Sequence, residues 1–431
     1  MFGVSVTPLR RGTFSTESSV VGSPVASAHV LHAAIAPAAV LVDERRTLYR
    51  LAVDLFAPGT ELSDNLADHP IVRYEIGRAL AGQGGLEQAR LAEAAALSVR
   101  DVGIDVISDP AAASLIEAPL RIVAPAGASP QPLTEADGER FEAALAIVAE
   151  GVRLFREIAP DMAEDLLVHV SMLAVLKRET SGGVVSASSR YVPGIVLIDE
   201  PSLPLEVTEA LVHEGAHEKF FDLAITQNFL DSRAEDADYF ENSWSHARWP
   251  LEQTFAAWHA YSCLAQFNMS IGTEQLGPDS LLPKARERAN EIGGWLLEHE
   301  DVLLADSRQL LHGLTGEPTG EADERSDVDC VTLCTEIREN GHFRVVSDVR
   351  IRRARTGRAV VVRATRPPEI FWLGSDASWT VGQLDDRNPT SFEFVLSRAA
   401  KEWQVPSELA ARRLRTSLGS LVSSSLVEST P

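Results

Sequence analysis

Residues 202–226 read SLPLEVTEALVHEGAHEKFFDLAIT, and at their centre stands His213-Glu214-Gly215-Ala216-His217. Two histidines four apart, with a glutamate after the first, form the H-E-x-x-H pattern. On an α-helix positions i and i+4 share a face, so both imidazoles can reach one metal ion. The flanks predict a helix, with Ser202 as N-cap, Pro204 in the first turn, and Glu206 and Glu209 at its positive end. Ala210, His213, His217, Phe220 and Ala224 fall on one stripe, which places the imidazoles on an apolar face. Burying two imidazoles side by side without a partner is costly, which favours a metal over a chance pair of core histidines. Gly215 is a weak helix former, suited to close approach of another backbone or of substrate.

Working outward, the residues before the motif predict strands at 165–176, 182–189 and 194–199, separated by turn residues. A strand leading into an H-E-x-x-H helix can hold an extended peptide along its free edge. After the motif, 227–249 is a polar, aromatic loop without periodicity, and PLEQTFAAWHAYSCLAQF (250–267) begins a second helix at Pro250. A mononuclear site needs a third protein ligand, and this helix is its expected source. His259 is the first candidate and Glu252 the second, with His246 in the loop third. Each also fits an ordinary core or surface role.

The chain has 431 residues, enough for two or three domains, and a net charge of −23, which argues against nucleic acid or an anionic membrane as partner. No apolar run is long enough to span a bilayer, and the N-terminus lacks the layout of a secretory signal. Three cysteines, Cys263, Cys330 and Cys334, cannot build a disulfide framework, so a cytoplasmic setting is expected. Cys330 and Cys334 have no second pair and make a poor zinc site.

The expected fold class is α+β: a mainly helical metal-binding domain with a small antiparallel sheet beside the motif helix, and a small C-terminal winged-helix-like α/β domain. The boundaries read as a flexible arm at 1–27, a catalytic domain at 28–312, a linker at 313–325 and a C-terminal domain at 326–431. A helix opening at Thr134 carries the stripe Phe141, Leu145, Val148, Val152 and Phe155. In the C-terminal domain Arg350, Arg352, Arg353, Arg355 and Arg358 cluster within nine residues.

With the motif in context, the chain resembles the H-E-x-x-H proteins encoded beside ribosomally synthesised and post-translationally modified peptides. The likeness covers roughly 165–270: the strand SASSRYVPGIVLI, the LVHEGAH helix, the loop Asn242-Ser243-Trp244 and the helix start Pro250-Leu251-Glu252. The resemblance implies an Fe(II)- and α-ketoglutarate-dependent peptide β-hydroxylase, with Ser243, Trp244 and Arg248 at the cofactor. An arginine would pair with the distal α-ketoglutarate carboxylate, Arg248 first and Arg233 next. Where the family carries a histidine soon after Pro-Leu, this chain has Ala256, with His259 one turn on. The C-terminal domain resembles the small element that captures leader peptides for such enzymes. It would bind the leader of a precursor peptide as an added strand, with its arginines facing acidic residues.

Two other readings stay open. In a zinc metallopeptidase Glu214 would activate metal-bound water, although the H-E-x-x-H-x-x-G-x-x-H extension is absent. In a non-catalytic scaffold the C-terminal domain would bind leader while the metal served structure. Under the oxygenase reading Glu214 orients ligands instead of acting as a base.

Overall fold

The computed structural model describes residues 37–124, 127–227, 229–230, 239–271, 276–277, 280–315 and 337–430. The expected arm at 1–27, most of the expected linker, Arg233, Cys330 and Cys334 lie outside the described residues. The chain is α+β. Helices α1 (Ala38–Phe56), α2 (Asp64–Asp68), α3 (Pro70–Leu80) and α4 (Gln88–Ala95) come first, then the hairpin β1 (Val99–Asp101) and β2 (Asp105–Ile107). Next are α5 (Ala112–Val123), α6 (Glu139–Ile158), α7 (Pro160–Leu167), β3 (Met172–Leu176), β4 (Ser186–Ala187), β5 (Ile195–Asp199) and the motif helix α8 (Pro204–Thr226). A short ribbon of β6 (Phe240–Glu241) and β7 (Arg248–Trp249) leads to α9 (Leu251–Ser270), α10 (Leu282–Glu298) and α11 (Ala305–Thr315). The chain closes with β8 (His342–Val345), β9 (Val349–Arg353), β10 (Ala359–Arg363), β11 (Glu369–Leu373), α12 (Ser375–Val381), β12 (Thr390–Ser391), α13 (Phe392–Glu402), α14 (Ser407–Ser423) and β13 (Val427–Thr430).

The motif helix is central, and its apolar surface is wider than the single stripe read from the sequence. Its buried positions run around the whole circumference and include Leu211, Val212, Glu214, Ala216, Glu218, Lys219, Phe220 and Asp222. It packs between α6, α7 and α9, with α1 against its C-terminal half. Gly151 of α6 makes the first contact possible, because a Cβ there would stand 2.6 Å from Val207 Cβ and 2.7 Å from the Pro204 carbonyl. Gly215 serves α7 in the same way, with an added Cβ only 3.2 Å from Leu166 Cβ. The helix opens on Pro204, and the Glu206 carboxylate reaches back to accept from the Ser202 and Leu203 amides at 2.7 and 3.2 Å. Glu206 thus caps the helix where the sequence pointed to Ser202.

The sheet beside the helix has the order β1-β2-β3-β5-β4. It was expected to be antiparallel and is mixed: β2–β3 and β3–β5 are parallel, β1–β2 and β4–β5 antiparallel. The physical reason lies in MLAVL and IVLID, continuous apolar runs without alternation. Such strands are buried on both faces, as central parallel strands are. The residues 165–167, expected in a strand, end α7 instead, and 313–315 complete α11 where a linker was expected. The stripe of α6 matches its expectation, with Phe141, Leu145, Val148, Val152 and Phe155 all buried.

The C-terminal strands form two three-stranded sheets, β11-β10-β9 and β12-β8-β13. Val361, Phe371 and Leu373 share an apolar cluster with Val395, Leu414 and Leu418 of α13 and α14. Val360, Val362, Ile370 and Trp372, on the other face, join a cluster with Leu48, Leu51 and Ala52 of α1 and with Leu197 of β5. The sheet β9–β11 is therefore packed on both sides, one of them against the N-terminal helices.

Candidate metal centre

His213 and His217 stand side by side on α8, their ring centroids 4.8 Å apart and the rings nearly perpendicular at 86°. Burial pulls each imidazole down to about 4; Arg288 adds to the effect at His213, and His213 adds to it at His217. Both rings are accordingly neutral at neutral pH, with lone pairs free to ligate. His213 Nδ1 is buried and has no hydrogen-bond partner. A buried, unpaired ring nitrogen beside a second neutral imidazole fits a cation better than it fits a packed core.

Glu214 points to the sheet. Its Oε1 accepts from the Ser186 hydroxyl at 2.7 Å and its Oε2 from the Ser188 hydroxyl at 2.5 Å, which ties edge strand β4 to the motif helix. The sequence offered these serines only as part of a strand.

The expected third ligands do not join the pair. His259 is fully buried, with its Nδ1 2.9 Å from the Ala216 carbonyl oxygen and its ring against Phe220. It packs beside Ala216 and Phe220 and, among the described residues, completes no three-ligand group with His213 and His217. Glu252 is half-buried and bonded to Arg190. His246 lies in the loop with its side chain 79% exposed, and its nearest carboxylate is Glu241. Among the described residues, no group of three His, Cys, Asp or Glu is placed to hold a metal. Ala256 is buried and supplies no donor.

The cofactor residues are also redistributed. Arg248 is exposed and lies over the Tyr239 ring at 5.3 Å. Ser243 is exposed, and its amide and hydroxyl bond Glu291 at 2.9 and 2.7 Å, so it caps a contact with α10. Trp244 does reach the site: it meets Tyr261 edge-on at 5.9 Å, and Tyr261 in turn packs on His213 at 5.5 Å. The arginine beside the imidazoles is Arg288 of α10. It sits over the rings of Trp244 and Tyr261 at 4.7 and 5.2 Å and donates from Nη1 to the Tyr261 hydroxyl at 2.7 Å. Among the described residues it meets no carboxylate. Burial raises the Tyr261 phenol above its ordinary value, with Arg288 opposing that rise. Neither residue stood out in the sequence.

Behind the histidines, α8 carries an ionic seam that the sequence did not reveal. Asp222 is held by Arg45, by Arg73 Nη2 at 2.9 Å and by His169 Nδ1 at 2.6 Å, all fully buried. The charge of Arg45 and Arg73 keeps Asp222 ionised despite its burial. Glu218, next to His217, accepts from the Gly194 amide at 2.6 Å, and burial raises its carboxyl well above the usual range. Lys219 makes two bonds to Asp165, at 2.8 and 2.6 Å. These contacts fix the rotation of α8 and hence the direction of both imidazoles.

The five-arginine cluster of the C-terminal sheets is split: Arg350, Arg353 and Arg355 are exposed, while Arg352 and Arg358 are partly buried against α1. Arg352 pairs with Asp54 at 2.6 Å, the Arg355 amide bonds Asp43 at 2.8 Å, and Arg358 pairs with buried Glu44, all three acids on α1. Arg353 donates to the Ser378 carbonyl. Arg352, Arg355 and Arg358 thus have counter-charges on α1, while exposed Arg350 and Arg353 bond only backbone carbonyls among the described residues. No helix among the described residues is long and apolar enough to cross a membrane. The chain matches no protein-family model and no curated protein.

Proposed function

We propose that the chain is an Fe(II)- and α-ketoglutarate-dependent oxygenase that hydroxylates a residue of a ribosomal precursor peptide, in a cytoplasmic setting. His213 and His217 would hold the iron. When bound, iron and α-ketoglutarate supply the oxygen activation that no side chain of the chain can provide. Arg288 keeps donors beyond its bond to Tyr261 and is placed to bind a carboxylate at the same site. Trp244 and Tyr261 wall that side with apolar surface and keep water from the reacting atoms. Strand β4 is an edge of its sheet and adjoins exposed Val185, so an extended peptide can add to it above the histidines.

The observation that carries the choice of chemistry is Glu214. A metallopeptidase needs this carboxylate turned to metal-bound water, whereas here both its oxygens accept from Ser186 and Ser188. That role as a positioning residue suits an oxygenase. The test is anaerobic loading with Fe(II), followed by α-ketoglutarate, oxygen and precursor peptide. The reading expects succinate together with a peptide heavier by one oxygen atom. Peptide cleavage by the zinc-loaded protein, without succinate, would establish the metallopeptidase instead. Leader binding without either product would leave a scaffold.

A further inference from the structure

The site holds two imidazoles, a guanidinium that meets no carboxylate among the described residues, and between them a tyrosine. We propose that Tyr261 is the third protein donor to the metal held by His213 and His217, with Arg288 stabilising its phenolate; the inference rests on the metal reading above.

Three observations carry it. The first is elimination among the described residues. Glu214 is bonded to two serines, Glu252 to Arg190, His259 packs under Ala216, and His246 is exposed in its loop. The second is placement. Tyr261 lies on α9, the helix from which the sequence called for a third ligand. It is only 8% exposed, and its ring packs on His213 at 5.5 Å. The third is charge. Arg288 is half-buried, in a chain where acids outnumber bases enough for a net charge of −23, yet among the described residues its hydrogen bond goes to the Tyr261 hydroxyl. The guanidinium is therefore placed to donate to the oxygen that would bind the metal.

On metal binding the phenol O–H bond breaks, its proton leaves to solvent, and the oxygen lone pair forms the bond to the metal. Arg288 Nη1–H continues to donate to the same oxygen, now anionic, and the bond becomes charge-assisted. Two imidazoles and a phenolate form an N₂O donor set that suits iron, and the remaining positions stay open for small ligands.

The experiment compares the full chain with Tyr261→Phe, Arg288→Gln and His213→Ala, each loaded with ferric iron and followed by metal content, optical spectrum and thermal melting. Phenolate bound to ferric iron gives a charge-transfer band in the visible, which imidazole and carboxylate ligands do not. The expected result is such a band in the parent protein and its loss in Tyr261→Phe, with the melting curve kept. Arg288→Gln should keep the band, shifted, and bind iron about 10–100-fold more weakly, as loss of an outer partner does elsewhere. Iron bound through His213 without a visible band, or a band that persists in Tyr261→Phe, overturns the assignment of Tyr261 alone. No iron binding by the parent protein, or iron content unchanged in His213→Ala, overturns the reading beneath it as well.

Discussion

Ser188 donates its hydroxyl to Glu214 at 2.5 Å, and through that bond the edge strand of the sheet is locked to the helix that carries both histidines. With Ser186 on the other oxygen, the carboxylate is a two-point clamp. Glu214→Gln keeps one acceptor and replaces the other with a donor. The expected outcome is unchanged iron content and a fall in turnover of about tenfold. A general base removed from a hydrolytic site would cost roughly 10²–10⁴. Steady-state rates beside metal analysis separate the two, and a loss in the higher range with metal retained would speak for hydrolysis.

Lys219 of the motif helix and Asp165 of α7 form a buried ion pair, with side-chain exposures of 0% and 5%. Burial alone lowers the Lys219 ammonium and Asp165 opposes this, so the charge depends on its partner. Asp165→Ala should therefore destabilise the protein by about 3–5 kcal/mol, because it strands a buried ammonium. The double change Asp165→Leu with Lys219→Met should recover most of that loss. Denaturant unfolding of both variants checks it; equal losses would mean that the two charges act independently.

The motif helix, its start near Pro204 and the α6 stripe were legible because they depend on spacing along one element. The site's other walls were not. His259 follows the motif pattern well enough, but α9 is rotated so that Tyr261 faces His213 while His259 packs on Ala216. That rotation is set by packing between helices, which no single-chain periodicity encodes. Arg288 was equally hidden, since α10 is about seventy residues beyond the motif and only the tertiary fold brings the two together. The burial of Glu214, Glu218 and Asp222 was not legible in the α8 periodicity either, because each is buried by a partner from β4, from Gly194 before β5 or from the N-terminal helices. The parallel pairing of β3 and β5 could have been drawn from their unbroken apolar runs.

His69 gives the fold a pH dependence of known sign. It precedes α3, and its Nδ1 accepts from the Ile71 amide at 3.2 Å, a bond that requires an unprotonated ring. Burial holds it down at about 4. A histidine depressed in the folded state contributes fully above its unfolded value near 6.5, and that contribution is lost as pH falls from there towards 4, where the unfolded chain binds the extra proton. The loss is about 3 kcal/mol at most. His69→Asn keeps a cap without titrating, so its stability should fall less than the parent's between those values. Parallel unfolding curves across that window would exclude His69 as a source.

The C-terminal strands bear on whether the catalytic part can stand alone. Trp372 sends its indole N–H to the Ile225 carbonyl at 2.7 Å, one residue from the end of the motif helix. Thr356 donates to Glu44 at 3.0 Å, and Arg358 pairs with the same carboxylate, which is itself buried. Val360, Val362 and Ile370 are completely buried in the cluster shared with α1. A chain ending at 325 would lose all of these contacts and expose the apolar face of α1, at about 1.5–3 kcal/mol for each fully buried side chain uncovered. It would also leave Glu44 without its arginine in a half-apolar setting, which adds to the cost. The expected outcome is a truncated protein with a lower melting temperature and new binding of an apolar dye. Arg358→Met in the full chain should show a smaller loss of the same kind. A truncated protein that melts at the parent temperature and binds no dye would mean that the C-terminal strands dock without contributing to stability, and the two parts could then be treated as separate domains.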